Sequence, residues 1–120
     1  MQRKKILVVD DSTFSRQIVR NALNHRGFRE EIEAENGEEA LKKYATEKPD
    51  VVLLDIVMPG LEGTDVLKRV MDMDENAKVI MLSSVGQEET VNLCHKLGSV
   101  GYIIKPFEYE QSVDTVEKTL

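Results

Sequence analysis

Short runs of aliphatic residues alternate along the chain with segments whose apolar positions recur at helical spacing. The aliphatic runs predict five β-strands, at residues 6–9, 32–34, 51–54, 79–82 and 102–104. The segments that follow these runs predict five helices, at residues 13–26, 38–46, 63–73, 87–97 and 108–120. Strand–helix units joined by short connections are typical of a parallel sheet that is covered by helices on both faces.

The second strand differs from the others in its pattern, and this difference predicts the strand order. Its residues Glu31 to Glu35 alternate strictly between acidic and apolar, which is typical of an edge strand. An edge position fits the order 2-1-3-4-5 of the flavodoxin-like, doubly wound (βα)5 fold. In that order the first and third strands are neighbours, and ligands bind beyond their carboxyl ends.

Residues that favour helix ends support these boundaries. Gly27 and Gly98 stand where a helix C-cap is expected. Two pairs have the spacing of an N-terminal capping box: Asn36 with Glu39, and Ser84 with Gln87.

The composition predicts one compact domain and argues against several functional classes. A chain of 120 residues is near the common domain size, so we expect a single domain over residues 1–120, with no output domain after the fifth helix. The net charge of −6 argues against direct binding of nucleic acid. The apolar run after the basic residues 1–5 is too short for a signal peptide or for membrane insertion. The single cysteine, Cys94, suits the reducing cytoplasm.

Acidic residues stand at the carboxyl ends of two predicted strands. Asp10 and Asp11 follow the first strand, and Asp55 follows the third. If these strands are neighbours, the carboxylates converge, and each like-charge contact at about 4 Å costs on the order of 1–4 kcal/mol near a protein surface. A magnesium ion would relieve this repulsion, because Mg²⁺ prefers oxygen ligands and binds one or two carboxylates together with phosphate oxygens.

The fourth and fifth strands deliver two further polar groups to the same edge of the sheet. Ser83 follows the fourth strand, and Lys105 follows the fifth and precedes Pro106. A hydroxyl and an ammonium group beside carboxylates suit a phosphoryl group bound next to magnesium. Asp55 could then be a nucleophile that forms an aspartyl phosphate, with the metal and the lysine offsetting the charge that develops.

Each of these residues also has a structural interpretation. Asp10 and Asp11 could cap the first helix, and Asp55 could belong to the turn that follows it. Ser83 could simply end a strand, and Lys105 could be solvated. Mutually compatible groups at four strand ends favour a shared functional site over these separate explanations.

Together the motifs resemble the receiver domain of bacterial response regulators. Four segments carry the resemblance and occur in the family's order and spacing: Asp10-Asp11-Ser12, Asp55-Ile56-Val57-Met58-Pro59-Gly60-Leu61-Glu62-Gly63, Ser83-Ser84 and Lys105-Pro106. The resemblance covers the whole chain, which is most similar to the single-domain CheY-like response regulators. The segment at residues 83–87 also resembles chemotaxis proteins.

The resemblance implies a role for each residue at this edge. Asp55 would accept phosphate from the phosphohistidine of a sensor histidine kinase. Asp10, Asp11, Asp55 and the backbone carbonyl of Val57 would bind Mg²⁺, for which Mn²⁺ could substitute. Lys105 would pair with the phosphate, and its peptide bond to proline is usually cis in this family.

The resemblance also implies a switch that carries the signal to partners. Ser83 would bind a phosphoryl oxygen, and Tyr102 would bury its ring and remodel the face formed by the fourth helix, fifth strand and fifth helix. The implied partners are a flagellar motor switch protein and a chemotaxis phosphatase. The same face could instead make a phosphorylation-dependent dimer of a protein that is otherwise a monomer. Such a protein would at most catalyse its own phosphoryl transfer and phosphoaspartate hydrolysis.

Val57 bears on two further hypotheses. An aspartate-nucleophile phosphatase of the haloacid-dehalogenase type needs a second aspartate two residues after the nucleophile, where this chain has Val57. An apolar side chain there cannot hydrogen-bond an attacking water, so we hypothesise slow self-dephosphorylation.

Two other functional classes fit the sequence less well than the receiver hypothesis does. A flavodoxin-like electron carrier would need a phosphate-binding loop rich in glycine and hydroxyl groups, where residues 10–13 are Asp-Asp-Ser-Thr. A pseudo-receiver that works without phosphorylation stays open, but it would be expected to lack an acidic or lysine position.

The remaining candidate residues have mainly structural interpretations. His25 and His95 lie on separate helices, which predicts solvated residues rather than a metal site. Cys94 falls on an apolar stripe, which predicts a small buried side chain. Four arginines give the first helix and its exit a basic character, which predicts either a solvated face or a docking surface for an acidic kinase domain or a phosphatase: Arg16, Arg20, Arg26 and Arg29.

Overall fold

The five predicted strands are present and form one parallel sheet. The structure, a computed structural model, describes residues 2–84 and 86–120. Its strands are β1 (Gln2–Val9), β2 (Phe28–Ala34), β3 (Val51–Leu54), β4 (Val79–Ser83) and β5 (Gly101–Ile104). They lie in the order β2-β1-β3-β4-β5, and every adjacent pair is parallel. The flavodoxin-like topology and the edge position of β2 are therefore confirmed.

The five predicted helices follow the strands, with ends that differ by at most one residue from the predicted ones. They are α1 (Thr13–His25), α2 (Gly37–Glu47), α3 (Gly63–Met73), α4 (Glu88–Lys96) and α5 (Tyr109–Thr119). The side chain of Asn36 caps α2 by accepting from the Glu39 amide at 2.8 Å, as predicted. The second predicted capping box is wrong, because the N-cap of α4 is Gln87 and it makes no side-chain cap bond.

The two glycines predicted at helix ends adopt the backbone conformation that such ends require. Gly27 and Gly98 have φ angles of 105° and 115°, in the left-handed region that a side chain disfavours. Each glycine therefore lets the chain turn away from its helix toward the next strand, which begins at Phe28 after Gly27 and at Gly101 after Gly98.

Two strands are four residues longer than their apolar runs predict, whereas β4 and β5 are longer by one residue each. β1 begins at Gln2 and β2 at Phe28, and the two strands pair from Gln2 with Phe28 to Val9 with Ala34. The backbone ladder needs only main-chain donors and acceptors, so it continues through polar residues that an apolar pattern cannot detect.

The hydrophobic core consists of two layers, one on each face of the sheet. Along β1, Leu7 and Val9 point into the layer covered by α2, α3 and α4, while Ile6 and Val8 point into the layer covered by α1 and α5. This alternation follows from the two-residue period of a strand. Because both faces are buried, the sheet is a rigid base that presents its carboxyl edge to solvent.

The structure also bears on the predictions for the two histidines and the cysteine. His25 and His95 are exposed, and Cys94 is buried in the core, as predicted. No described helix is long and apolar enough to cross a membrane. Met1 of the basic N-terminal segment and Val85 of the segment at residues 83–87 lie outside the described residues.

Candidate functional site

The three acidic residues come together because of the register between β1 and β3. Val9 is opposite Leu54 in this parallel pair, so Asp10 and Asp55 are the next residues on adjacent strands. The amide of Asp55 donates to the carbonyl of Val9 at 3.0 Å, which extends the ladder to the site itself. The convergence of the two strand ends is therefore set by backbone pairing.

The carboxylates of Asp10 and Asp55 are buried, whereas that of Asp11 is exposed. Asp10 retains 1% of its accessible surface and Asp55 retains 6%. Carboxylate oxygens of the three residues lie within 4.8 Å of one another. Like charges at this separation repel strongly where water cannot screen them, so the group favours binding of a cation.

Lys105 supplies part of the missing positive charge. Its ammonium donates to Asp10 Oδ2 at 2.7 Å and to Asp55 Oδ2 at 3.2 Å, so one cation bridges the two buried carboxylates. The residue follows β5, where its amide donates to the Ser83 carbonyl at 2.9 Å, and its bond to Pro106 is cis, as expected. One lysine cannot balance three carboxylates, so a negative charge remains at the site.

The pKa shifts of this cluster reflect the balance between burial and pairing. Burial raises the pKa of Asp55, the ammonium of Lys105 lowers it, and the charge of Asp10 raises it again, so that the net shift is upward. Burial lowers the pKa of Lys105, but its hydrogen bond to Asp10 and the charge of Asp55 outweigh this effect and raise it. Ionisation of Asp55 is thus less favourable in the protein without metal than in a solvated aspartate.

Gly63 allows α3 to begin directly against the backbone of Asp55. Its amide donates to the Ile56 carbonyl at 2.9 Å. A Cβ atom at this position would lie 2.1 Å from the carbonyl oxygen of Asp55, far inside van der Waals contact. The turn after β3 can therefore hold the acidic residue in place only if residue 63 lacks a side chain.

Val57 contacts the site through its backbone and exposes its side chain. Its amide donates to Asp55 Oδ1 at 3.2 Å, and the residue is 61% exposed. The side chain therefore lies at the rim of the site, next to the carboxylate. Its backbone carbonyl as a metal ligand stays a prediction.

Ser83 and Tyr102 form a pair beside the acidic cluster. Ser83 is fully buried at the end of β4, and Tyr102 is partly buried on β5 and packs against the core. A side-chain hydrogen bond joins the two residues; it lowers the pKa of the Tyr102 phenol, while burial raises it by more. The Ser83 hydroxyl thus already contacts the predicted aromatic switch residue.

The donors at this edge fit a magnesium ion. Within the described residues, Asp10, Asp11 and Asp55 form the group whose ligand atoms are close enough to share one metal. All three offer carboxylate oxygen, the ligand type of Mg²⁺, and no histidine or cysteine of residues 2–84 and 86–120 joins them. The excess negative charge at the site favours the same ion.

Two features near the site were not recognised from the sequence. Arg16 is 8% exposed, so its prediction as part of a solvated face is wrong; it lies on the buried stripe of α1 with Val19 and Leu23. That spacing was the signal that could have revealed it. Phe14 is 75% exposed and lines a cavity with Ile18, Lys105 and neighbouring residues, although an aromatic side chain on a helix usually predicts a core position.

The chain matches the family model of the response regulator receiver domain over residues 6–117. The protein belongs to this family. The match includes all five strand–helix units and each residue of the acidic edge. Receiver domains are phosphorylation-dependent switches of two-component signalling, and this protein is one of them.

Relatives of known name place the protein near chemotaxis regulators. It is 43% identical to the chemotaxis protein CheY of Listeria monocytogenes over 114 residues, which are 95% of this chain and 96% of that one. It is 39% identical to CheY of Thermotoga maritima over 115 residues, 96% of each chain. It is also 36% identical to the sporulation initiation phosphotransferase F of Bacillus subtilis over 120 residues, 100% of this chain and 96% of that one.

A solved structure of a chemotaxis protein has the same fold as this chain. CheY in the CheX–CheY–BeF3–Mg²⁺ complex from Borrelia burgdorferi superimposes with a TM-score of 0.92 at 35% identity, covering 96% of this chain and 87% of that chain. These similarities favour a chemotaxis role for this receiver domain. Neither a phosphorylation-independent module nor an aspartate phosphatase is favoured.

Proposed function

We propose that this receiver domain, over residues 1–120, takes a phosphoryl group from a sensor histidine kinase onto Asp55 and thereby changes its binding to chemotaxis partners in the cytoplasm. The observation that carries the proposal is the bridge that Lys105 makes between Asp10 and Asp55 at 2.7 and 3.2 Å. A partly buried ammonium shared by two carboxylates is poised to bind the oxygens of an incoming phosphoryl group.

The phosphoryl transfer uses Asp55 as the nucleophile. A carboxylate oxygen of Asp55 forms a bond to phosphorus as the bond from phosphorus to the histidine nitrogen breaks, and the imidazole leaves with that electron pair. The Val57 amide, 3.2 Å from Oδ1, holds the carboxylate in one orientation. The ammonium of Lys105 neutralises the charge that collects on the phosphoryl oxygens.

A magnesium ion at the site would be held by Asp10, Asp11, Asp55 and the backbone carbonyl of Val57. When bound, it neutralises carboxylate and phosphoryl charge, so that the two anions can approach each other. We expect Mn²⁺ to substitute, because it takes the same oxygen ligands.

The signal leaves the site through Ser83 and Tyr102. The new phosphoryl oxygens compete with Tyr102 for the Ser83 hydroxyl, because a hydrogen bond to an anion is stronger than one to a neutral phenol. A shift of Ser83 toward the phosphate alters the contacts of the Tyr102 ring. That ring belongs to the face formed by α4, β5 and α5, where Leu93, Val100 and Ile104 are about half exposed.

This apolar face is the surface that we assign to the output partner. Exposed large hydrophobic residues on neighbouring elements mark interaction sites. A flagellar motor switch protein is the first candidate. A second copy of this chain is the alternative, in which phosphorylation would convert a monomer into a dimer.

The kinase domain approaches from the other side of the site. Phe14 and Ile18 are exposed on α1 and line a cavity together with Lys105 and Pro106. A helical histidine-bearing domain that covers this apolar patch would place its phosphohistidine near the acidic edge.

A partner phosphatase completes the proposed cycle. The CheY of Borrelia burgdorferi occurs in a complex with CheX, BeF3 and Mg²⁺. In this chain the exposed side chain of Val57 has no group that could orient water beside Asp55. We therefore propose that the aspartyl phosphate is long-lived until a partner phosphatase supplies that group.

Incubation with acetyl phosphate and Mg²⁺, followed by mass spectrometry of the intact protein, tests the proposal. We expect a gain of one phosphate that is abolished in Asp55→Asn and retained in Asp114→Asn, a matched change on exposed α5. Wild-type protein that gains no phosphate would contradict the proposal and favour a pseudo-receiver. Sedimentation with and without BeF3 then shows whether the activated protein is a dimer. A protein that stays monomeric with BeF3 favours the motor switch protein as the partner.

A further inference from the structure

Arg16 is an arginine buried in α1 behind the acidic cluster. Its Nε donates to Glu33 Oε1 at 2.9 Å, its second terminal nitrogen donates to Thr13 Oγ1 at 3.2 Å, and its first terminal nitrogen donates to the backbone carbonyl of Asp10. Burying a guanidinium is costly unless its donors are satisfied, and here all three nitrogens have partners. The bond to Asp10 links it to the site.

Glu33, which accepts a hydrogen bond from Arg16, is itself fixed in place. Glu33 lies on β2 opposite Val8, one residue before the strand pair ends. Its second carboxylate oxygen accepts from Arg20 at 3.0 Å, and Lys43 donates to its backbone carbonyl. The guanidinium of Arg16 is therefore held between the helix and the edge strand, with little freedom to move.

The carbonyl that Arg16 binds belongs to the peptide between the two predicted metal ligands of the β1–α1 turn. The amide of Asp10 donates to the Ala34 carbonyl at 3.1 Å, so the backbone of Asp10 is bonded on both sides. Its carboxylate is bonded to the Ser12 amide at 2.9 Å and to Lys105. Asp11 is exposed, and the Asp10–Asp11 peptide orients it.

We propose that Arg16 is a positioning residue for magnesium binding: it fixes the plane of the Asp10–Asp11 peptide so that both carboxylates face the metal. Without this bond the peptide is able to rotate, and mutual repulsion drives the exposed Asp11 away from the buried pair. Binding of the metal then has to bring the Asp11 carboxylate back toward the other two, and this lowers the affinity for the metal. This inference rests on the proposed function, because it assumes that the acidic edge binds Mg²⁺.

Charge alone predicts the opposite effect of a substitution. A guanidinium repels Mg²⁺, so a variant that only lost this charge would bind the ion more tightly. Arg20 provides the matched control, because it lies one turn further along α1 and, of Glu33, pairs only with the other carboxylate oxygen. The backbone of Glu33 is held by strand pairing and by Lys43 without it, and Arg20 donates no hydrogen bond to Asp10 within the described residues. Arg20→Gln removes the same charge without touching the peptide of the site.

Calorimetric titration of the unphosphorylated protein with MgCl2 tests the proposal. We expect Arg16→Gln and Arg16→Lys to weaken Mg²⁺ binding about tenfold, and Arg20→Gln to leave it unchanged or slightly tighter. Arg16→Lys keeps the charge and guards against a variant that fails to fold. Phosphorylation by acetyl phosphate should need about ten times more Mg²⁺ for half-maximal rate in both variants, and should reach the wild-type rate at saturation.

Each alternative result has a definite meaning. Folded Arg16 variants that bind Mg²⁺ as tightly as wild type, with reduced thermal stability only, would show that Arg16 is a structural tether and overturn the inference. Arg20→Gln that weakens binding as much as Arg16→Lys would also overturn it. Wild-type protein that binds no Mg²⁺ at all would overturn the proposed function first, and this inference with it.

Discussion

Removing the charge of Asp55 should stabilise the protein when metal is absent. The carboxylate is 6% exposed, and its oxygens lie within 4.8 Å of those of Asp10 and Asp11. At an effective dielectric constant near 20, repulsion from Asp10 at that distance amounts to about 3.5 kcal/mol. Repulsion from exposed Asp11, which water screens at a dielectric constant near 80, is about 1 kcal/mol. Attraction to the Lys105 ammonium at 3.2 Å is about 5 kcal/mol on the same scale.

These Coulomb contributions nearly cancel, so desolvation decides the sign. Taking a carboxylate out of water costs several kcal/mol, and burial is the main cause of the raised pKa of Asp55. Asparagine has the same shape, avoids most of this cost and can still accept from Lys105. We therefore expect Asp55→Asn to raise the free energy of unfolding by about 1–3 kcal/mol at pH 7 in EDTA.

The pH dependence follows from the direction of the pKa shift. Because the folded-state pKa of Asp55 is raised above the ordinary value of 3.8, the protonated form is favoured by folding. The stability that Asp55 contributes to the wild-type protein is fully present below pH 3.8, and it is lost as the pH rises through the folded-state pKa. The advantage of Asp55→Asn should therefore be largest at neutral pH and shrink toward pH 3.8.

Urea unfolding followed by circular dichroism measures the difference, since the chain has no tryptophan for fluorescence. Glu75→Gln removes one charge from an exposed turn and should change stability by less than about 0.5 kcal/mol. Mg²⁺ at a hundredfold excess over its dissociation constant should stabilise wild type by about 2.7 kcal/mol, and Asp55→Asn by much less. An Asp55→Asn protein that is less stable than wild type in EDTA at pH 7 would refute this reasoning.

Three further substitutions probe other parts of the molecule. Gly63→Ala should destabilise the fold by about 1–3 kcal/mol in urea unfolding and slow phosphorylation, because the added carbon meets the Asp55 carbonyl at 2.1 Å; unchanged values of both would contradict this. Val57→Asn should accelerate decay of the aspartyl phosphate several-fold by orienting water, and an unchanged decay rate would sink the idea. Leu53→Ala, fully buried in β3, should lower the unfolding free energy by about 2–5 kcal/mol while Mg²⁺ affinity measured by calorimetry stays the same; a loss below about 1 kcal/mol would argue against close packing around this strand.

The elements of the fold were predictable wherever burial is periodic. β3 and α3 agree with their predicted ends, because each is a buried run or an amphipathic segment with a clear stop. β1 and β2 were predicted too short, since their first residues are held by backbone pairing that leaves no apolar pattern. The predicted cap at Ser84 failed because the spacing of a capping box does not fix the backbone angles that a cap needs.

The candidate site was predictable in its members and less so in its contacts. Asp10, Asp11 and Asp55 were found because acidic residues at the ends of apolar runs have few structural explanations. The pairing of Lys105 with both buried carboxylates could be expected only in outline, because these residues are far apart in the chain. Arg16 was misassigned because arginine on a helix is usually solvated.

By itself the sequence determined the strand–helix alternation, the order of the strands and the chemistry at the carboxyl edge of the sheet. These follow from local periodicity and from residue types that are costly to bury without a purpose. The tertiary structure alone decided that one ammonium is shared between Asp10 and Asp55, and that Arg16 holds the peptide between Asp10 and Asp11. Side-chain partners across the fold depend on how α1 packs against β2 and how β5 ends, and no local pattern encodes those distances. The repulsion among three carboxylates was visible in the sequence, but the balance that makes it tolerable exists only in the folded protein.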